Sequence, residues 1–251
     1  MQPGVGPQDG LETREVGLEQ LAPLPSSEVR DRLQVIQDRG RLRVGYPRAS
    51  LPYVYRRDET GLVGMDVDLV QLLAMDLGVG LDFVEVPREQ MAQLLRVGSV
   101  DVLAGGLLGT PERARAMRLS RPYMQVTLSL LVRDHRRQEF QRWDRIESMQ
   151  GLRLAVTDVP FLVQRARRNL PSVEITVVEA PGDFMTAPEG RFDALVFSAE
   201  AGSAWTLLHP QFTVVVPGPG RTSSPVVLGL PADEPELAAY VDAWLELQES
   251  S

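Results

Sequence analysis

The chain lacks two residue types on which many catalytic and metal sites depend. None of its 251 residues is cysteine, which excludes disulfides, thiolate nucleophiles and cysteine-bound zinc. None is lysine either, so all 26 basic residues are arginine, and a Schiff-base lysine or a Walker-type phosphate lysine is excluded. The two histidines, His135 and His209, are interpreted as surface or structural residues. We therefore expect neither a metal ion nor a cofactor.

Long hydrophobic runs and an excess of basic charge are also missing. No apolar stretch approaches the ~20 residues that a membrane-spanning helix needs. The net charge is −8, which argues against a nucleic-acid surface. The start, MQPGVGPQDGLETREVGLEQ, has neither a basic nor an apolar segment of the kind found in signal peptides. If the protein works outside the cytoplasm, we expect its targeting segment to have been removed or to lie in a larger parent chain.

The pattern along the chain predicts an α/β protein. Residues 1–29 are rich in Gly, Pro, Gln and acids without periodicity, which is typical of a disordered leader or linker. The stretch SEVRDRLQVIQDRG predicts a helix that begins after Ser27 and ends at Gly40, and an apolar stripe over 64–79 predicts another. Strand and helix patterns then alternate, and a second such series starts at Gly151. This alternation indicates mostly parallel sheets.

Two series joined by two extended segments indicate two lobes with two crossings between them. Ligands of such sheets bind beyond the carboxyl ends of the strands. The loops after the predicted strands 41–46, 100–104, 152–156 and 192–197 are therefore where a site is expected. Asp66 and Asp68, at the start of the helix over 64–79, are interpreted as helix-start acids favoured by the dipole rather than as catalytic residues.

One motif, GGLLGTPERARAM, places an arginine in the first turn of a predicted helix, where a cation is unfavourable unless an anion meets it. Thr110 can cap this helix, Pro111 suits its first position, and Arg113 projects beside the glycines at 105–106. Guanidinium, free N–H groups and helix dipole together suit a carboxylate or a phosphate. The alternative is a surface arginine paired with Glu112 or Asp101.

The order of three motifs resembles a known family. GMDVDL, then TPER, then SRPY closely resemble the extracellular solute-binding proteins of family 3, which serve polar amino-acid importers, and the resemblance covers residues 30–250. It implies a two-lobed, type II periplasmic-binding-protein-like fold that closes on a small solute. Lobe 1 would span 30–131 with 225–251, and lobe 2 would span 132–224. The hinge would lie near 130–133 and 225–228.

The resemblance also implies which residues touch the ligand. In the family, the arginine of TPER receives the ligand carboxylate, which assigns that role to Arg113, with Thr110, Leu108 and Gly106 beside it. The first loop would contribute Ser50 and Tyr53, and lobe 2 would contribute Phe161, Ser198 and Glu200.

Several of these positions depart from the family pattern. Leu108 stands where a hydroxyl residue is common, and Ser50 where an aromatic often covers the ligand. In lobe 2, TDVPF replaces the usual Gly-Thr or Gly-Ser. The aspartate that takes an α-ammonium in the family is replaced by Ser198, and Glu200 could substitute for it. The carboxylate half of amino-acid recognition is kept and the ammonium half is altered.

The expected function is capture of a small carboxylate-bearing metabolite, an amino acid or a related organic acid, for delivery to a membrane transporter of the ABC type. The chain would act as a monomer in the periplasm or another extracytoplasmic space, with the transporter separate or fused in a parent chain. It is expected not to be an enzyme. The alternatives are a ligand-sensing receptor domain and an enzyme similar to cyclohexadienyl dehydratases, with Glu200 or Asp158 as the acid–base residue.

Overall fold

The structure is a computed structural model that describes residues 11–24, 31–48, 50–57, 61–157, 160–218 and 223–249. The chain divides into two compact units. The first contains the described residues up to Met124 and from Val226 onward, and the second contains Gln125–Pro225. The chain therefore crosses between the units twice. Both units combine helices with a sheet, which confirms the predicted α/β fold.

The first unit is built on one six-stranded sheet and a short hairpin. Its strands are β1 (Thr13–Glu15), β2 (Arg41–Tyr46), β3 (Tyr55–Arg57), β4 (Gly61–Val63), β5 (Gly80–Glu85), β6 (Val102–Leu103), β7 (Arg118–Leu119) and β14 (Gly229–Leu230). Its α-helices are α1 (Arg32–Arg39), α2 (Met65–Leu77), α3 (Met91–Arg96), α4 (Pro111–Ala116) and α9 (Pro235–Glu249). The sheet order is β1-β5-β2-β6-β14-β7, in which β14 runs antiparallel to both neighbours, and β3 pairs with β4.

The second unit has its own sheet, in the order β10-β9-β11-β8-β12, with a further strand, β13, on β8. Its strands are β8 (Met124–Arg133), β9 (Arg153–Thr157), β10 (Glu174–Val178), β11 (Ala194–Ser198), β12 (Phe212–Val215) and β13 (Ser223–Val226). Its α-helices are α5 (Trp143–Ser148), α6 (Pro160–Asn169), α7 (Pro181–Met185) and α8 (Ala199–Leu208). Strands β10, β9 and β11 are parallel, and β8 is antiparallel to β11 and β12.

Apolar side chains pack around the first sheet in two clusters. Leu42 and Val44 of β2 belong to one cluster with Leu73 of α2 and Val241 of α9. The second cluster includes Val84, Leu94, Leu95, Leu103 and Leu107. These buried contacts hold the carboxyl ends of β2 and β6, where the loops with the predicted ligand residues begin. None of the helices in the described part of the chain is long and apolar enough to cross a membrane.

The prediction of a disordered leader over residues 1–29 is wrong for residues 11–24, because they belong to the first unit. Strand β1 pairs in parallel with β5. Arg14 donates hydrogen bonds to both carboxylate oxygens of Asp82, at 3.0 and 3.1 Å. A three-residue strand is too short to produce a periodic pattern, and its partner lies far along the chain. The other residues expected in the leader, 1–10 and 25–29, lie outside the described residues.

Helix α1 begins later than the sequence predicts. Asp31 is its N-cap, since the Asp31 carboxylate accepts a hydrogen bond from Leu33 N–H at 3.1 Å. The predicted cap, Ser27, lies outside the described residues. The predicted end is correct: Gly40 has a φ of 68°, a left-handed conformation that glycine adopts without strain.

The first crossing between the units also comes earlier than expected. The sequence predicted a boundary between 131 and 132, whereas the second unit begins at Gln125. The reason is the antiparallel pairing of β8 with β11, in a register that runs from Leu128 opposite Ser198 to Val132 opposite Ala194. Partners so distant in sequence leave no local signal. The second boundary, before Val226, lies close to the predicted one at 225.

Candidate ligand-binding site

The loop that follows β6, called here the glycine loop (residues 104–110), contains two glycines in the left-handed backbone region. Gly105 has a φ of +99° and Gly106 one of +71°. A Cβ on Gly106 would lie 2.3 Å from the Tyr53 ring, and one on Gly105 would lie 3.4 Å from Ser50 Oγ. Glycine therefore provides both the conformation and the space that bring this loop against the loop carrying Ser50 and Tyr53.

Thr110 and Pro111 start helix α4 as predicted. Thr110 Oγ1 accepts a hydrogen bond from Arg113 N–H at 3.3 Å, and Pro111 occupies the first turn. The Arg113 side chain folds back over the glycine loop, where its Nη1 donates to Leu108 carbonyl oxygen at 2.7 Å. The cap and this bond orient the guanidinium from both ends of its side chain.

The Arg113 guanidinium is partly buried and has no ion pair within the part of the chain that the structure describes. The alternative partner Asp101 is fully buried and pairs instead with Arg39. Burial, and next the nearby charge of Arg88, lower the pKa of Arg113 to about 10. A carboxylate beside Arg113 would offset both effects and accept its remaining N–H donors.

Ser50 and Tyr53 lie beside the glycine loop, as the predicted site requires. Their residues are 5% and 7% exposed, so little of either is available to solvent. Ser50 Oγ donates to Pro47 carbonyl oxygen at 2.6 Å, and Ser50 carbonyl oxygen accepts from Tyr53 N–H at 2.7 Å. Both residues therefore shape the wall against which the glycine loop packs. Direct contact of either with a ligand stays a prediction.

A buried acid that the sequence analysis assigned to a helix start lies at the centre of this region. Asp66 is fully buried, whereas Asp68 is exposed. Asp66 Oδ2 accepts hydrogen bonds from the N–H groups of Gly105 and Gly106, at 2.6 and 2.9 Å. These two amides are therefore not free for a ligand, contrary to the sequence-based expectation. The GMDVDL motif was the available signal, but it does not reveal partners some 40 residues away.

The second unit places Ser198 and Glu200 at the junction of β11 and α8. Ser198 caps the helix, with its Oγ accepting from Ala201 N–H at 3.2 Å. The two Glu200 carboxylate oxygens share the N–H of Thr127, at 3.2 and 3.1 Å. Glu200 thus ties α8 to β8 within the second unit. Contact of Ser198 or Glu200 with a ligand stays a prediction.

Thr157, at the end of β9, is a polar residue for which sequence analysis found no role. It is buried, and its Oγ1 has no hydrogen-bond partner among the described residues. Strands β9 and β11 are adjacent, with Val156 opposite Val196, so Thr157 and Ser198 end neighbouring strands. A buried hydroxyl without a partner requires an explanation, such as a water or a ligand group. The predicted residue Phe161 lies in α6, but its side chain is outside what the structure describes.

The predicted site residues fall into two groups, one in each unit. The first unit brings together Ser50, Tyr53, Gly106, Leu108, Thr110 and Arg113 around the glycine loop. The second unit holds Ser198 and Glu200. In the first group, Arg113, which has no ion pair with any described residue, lies beside a loop shaped by glycines, and this arrangement suits an anionic group.

Comparison with known proteins agrees with this arrangement. The model of a family described as bacterial extracellular solute-binding proteins, family 3, matches residues 42–251, which confirms the resemblance expected from the motifs. The crystal structure of the ancestral amino acid-binding protein AncCDT-1, a precursor of cyclohexadienyl dehydratase, is similar with a TM-score of 0.77 and 26% identity. That match covers 88% of this chain and 95% of the other.

The curated relatives include two kinds of enzyme. Cyclohexadienyl dehydratase of Pseudomonas aeruginosa is 28% identical over 221 residues, which cover 88% of this chain and 82% of that protein. Membrane-bound lytic murein transglycosylase F of Ectopseudomonas mendocina is 25% identical over 228 residues, 87% of this chain. The chain spans only 45% of the transglycosylase. The expectation that the chain is not an enzyme is therefore contradicted, since the dehydratase matches it over most of both chains.

Proposed function

The chain belongs to family 3 of the bacterial extracellular solute-binding proteins, and we propose that it captures a small carboxylate-bearing metabolite, an amino acid or a related organic acid. The observation that carries this proposal is the state of Arg113. Its guanidinium is partly buried, is held by Leu108 carbonyl oxygen, and has no ion pair among the described residues. A buried cation of this kind is stabilised by an anion that accepts its N–H groups.

A carboxylate suits Arg113 because the two groups match in geometry. A planar guanidinium presents parallel N–H groups to the two oxygens of a carboxylate, which a lysine ammonium cannot do. Since Asp66 already binds the amides of Gly105 and Gly106, further donors would come from the glycine loop beyond them, near Leu108 and Thr110. The ligand carboxylate would therefore contact the guanidinium first and the loop second.

In the second unit, Glu200 and Thr157 have hydrogen-bonding capacity that their contacts with the described residues leave unused. Among the described residues, Glu200 accepts one N–H, that of Thr127, although a carboxylate has about four lone-pair sites for hydrogen bonds. A ligand ammonium at Glu200 would give an amino acid, whereas a ligand without an ammonium would leave Glu200 to its contact with β8. The Thr157 hydroxyl, without a partner among the described residues, is a further donor in the same unit.

The family also supports delivery of the metabolite to a membrane transporter from an extracytoplasmic position. The test of capture is a thermal-shift screen of the whole chain against the twenty L-amino acids, succinate and L-malate. A compound that binds only the folded protein raises its melting temperature by mass action. We expect at least one member to raise the melting temperature of the wild-type protein and not that of Arg113→Ala. A shift of the same size in both proteins would remove Arg113 from the site.

A second candidate function is catalysis on the same scaffold. It is supported by the match to the dehydratase, which covers 82% of that enzyme, and by the similarity to a precursor of cyclohexadienyl dehydratase. Glu200 would then act as the acid–base residue; the other candidate, Asp158, lies outside the described residues. Incubation with prephenate or arogenate should produce an aromatic product, seen by ultraviolet absorbance, that Glu200→Gln does not form. Absence of product with both substrates would exclude this activity.

A further inference from the structure

Three segments of the first unit meet at Asp66. The backbone N–H of Asp66 donates to Tyr53 carbonyl oxygen at 3.0 Å, which joins the start of α2 to the first loop. Its carboxylate accepts from Gly105 N–H and Gly106 N–H, at 2.6 and 2.9 Å. Both carboxylate oxygens also accept from the Tyr123 hydroxyl, at 2.7 and 2.8 Å. The Asp66 side chain thus links the glycine loop to the segment just before the crossing, and its backbone N–H links α2 to the first loop.

The environment of Asp66 is unusual for a charged group. The residue has no exposed surface, and no arginine pairs with it among the described residues. Burial raises the pKa of the Asp66 carboxyl above its ordinary value, although the three donors oppose that effect. Burial, and next the Asp66 charge, raise the pKa of the Tyr123 hydroxyl, which therefore remains a donor. A buried carboxylate stabilised only by neutral donors depends on how accurately those donors point at it.

The conformation of the glycine loop depends in turn on the Asp66 carboxylate. Gly105 and Gly106 both have positive φ, and the flexible backbone of glycine does not select that conformation by itself. The Asp66 carboxylate stabilises it, because in this arrangement two consecutive N–H groups point at one oxygen. Leu108 and Thr110, which hold Arg113 at its two ends, follow in the same loop.

We propose that ionised Asp66 is a positioning residue for ligand capture, which holds the glycine loop in the arrangement that presents Arg113 to a ligand carboxylate. This inference rests on the proposed function. A protonated Asp66 could donate to the Tyr123 hydroxyl and still accept from the two glycine N–H groups, but a neutral acceptor binds N–H groups more weakly than a carboxylate, so it would hold the glycine loop less firmly. Among the described residues, the titratable side chain that contacts the Asp66 carboxylate is Tyr123, whose raised pKa keeps its hydroxyl protonated near neutral pH.

The sign of the pH dependence distinguishes this role from a structural one. Folding raises the pKa of Asp66 above the ordinary value for aspartate, about 4. Between the ordinary and the raised pKa, the folded protein therefore binds more protons than the unfolded one, and the stability of the fold decreases as the pH rises through this window. If ionised Asp66 presents Arg113, ligand affinity rises over the same window. A purely structural acid would make the two quantities change together.

The test compares the wild-type protein with Asp66→Asn, which keeps the size of the side chain and an acceptor oxygen for the glycine amides but removes the negative charge. Asp68→Asn is the matched control, an exposed acid two positions further along α2. Two readouts are needed: hydrogen exchange of the backbone amides in the glycine loop, and affinity for each member of the panel of L-amino acids, succinate and L-malate. Circular dichroism and a thermal melt establish that each variant folds.

We expect Asp66→Asn to increase exchange at Gly105 and Gly106 and to weaken panel binding about tenfold or more, equivalent to ~1.4 kcal/mol. Asp68→Asn should change neither. For amino acids with uncharged side chains, whose carboxylate stays ionised near pH 4, wild-type affinity should decrease as the pH is lowered toward 4, and the Asp66→Asn affinity should decrease less. Tyr123→Phe removes one donor and keeps two, so its effect should be smaller.

Two outcomes separate this inference from the proposed function. If no panel member binds the wild-type protein, the proposed function fails, and hydrogen exchange at Gly105 and Gly106 still tests Asp66. If Asp66→Asn folds with unchanged exchange in the glycine loop, or binds a panel member as the wild type does at every pH, the inference is overturned. Should Asp66→Asn fail to fold, the wild-type pH profile and Tyr123→Phe decide: an affinity that does not change with pH refutes the role of Asp66.

Discussion

Replacing Arg113 by alanine should remove most of the ligand affinity and leave the unliganded fold intact. The guanidinium donates one hydrogen bond in the described structure, to Leu108 carbonyl oxygen at 2.7 Å, so most of its donors are available to a carboxylate. Truncation would leave the ligand carboxylate buried without its charged partner, at a cost of about 2–5 kcal/mol. The dissociation constant should therefore rise by roughly thirtyfold to several thousandfold.

The unliganded protein should respond differently to the same change. Burial, and next the charge of Arg88, lower the pKa of Arg113 to about 10, so the folded protein releases this proton more readily than the unfolded one. The contribution of Arg113 to stability therefore increases only above about pH 10, and at neutral pH its buried charge is unfavourable. Removing it should lower the free energy of unfolding by no more than the ~1 kcal/mol of the lost hydrogen bond.

Isothermal titration calorimetry with a panel member that binds the wild type measures the first effect, and a denaturant melt without ligand measures the second. Arg115→Ala is the control, because Arg115 is an exposed arginine on the same short helix. Arg113→Lys should also bind poorly, since the paired N–H geometry is lost. Near-normal affinity of Arg113→Ala with an intact fold would refute the reasoning.

Three further substitutions test other parts of the site. Glu200→Gln keeps an acceptor for Thr127 N–H and removes the charge, so it should weaken the binding of amino acids and leave the binding of dicarboxylates unchanged. If the variant binds both classes as the wild type does, Glu200 is not part of the site. Gly106→Ala meets an aromatic ring at 2.3 Å, whereas Gly151→Ala, at φ +66°, meets nothing within 4 Å. Denaturant melts should show that both variants lose about 1 kcal/mol or more of unfolding free energy and that Gly106→Ala loses more than Gly151→Ala. Equal losses in the two variants would contradict the close packing at Gly106. Thr157→Val removes a buried hydroxyl that has no partner among the described residues, so denaturant melts should show no loss of stability and calorimetry should show weaker ligand binding. A clear loss of stability would show that the hydroxyl is already hydrogen-bonded.

Local sequence was sufficient where one segment determines its own structure. The cap, proline and arginine of TPER predict helix α4 with Thr110 as N-cap, because all of these effects act within one helical turn. The left-handed end of α1 at Gly40 has the same local origin. The start of that helix was placed too early, because Asp31 offers an equally good cap closer to the apolar positions.

Contacts between distant segments could not be predicted in this way. Asp66 resembles any acid at a helix start, which the dipole alone would explain, and its hydrogen-bond partners follow 39, 40 and 57 residues later. Strand β1 shows the same limit, since its partner β5 lies far along the chain and only the sheet brings them together. The strand β8 was divided wrongly between the lobes for the same reason.

The sequence by itself determined the α/β class, the family and an arginine at a capped helix start, because residue type, spacing and local propensity are enough for these. Only the tertiary structure decided how the site is held. It placed Asp66 under the glycine loop, occupied the amides of Gly105 and Gly106, and set Glu200 against β8. The physical reason is that a buried polar group must find its partners in space, and the packing of the sheets decides which distant residues are within reach.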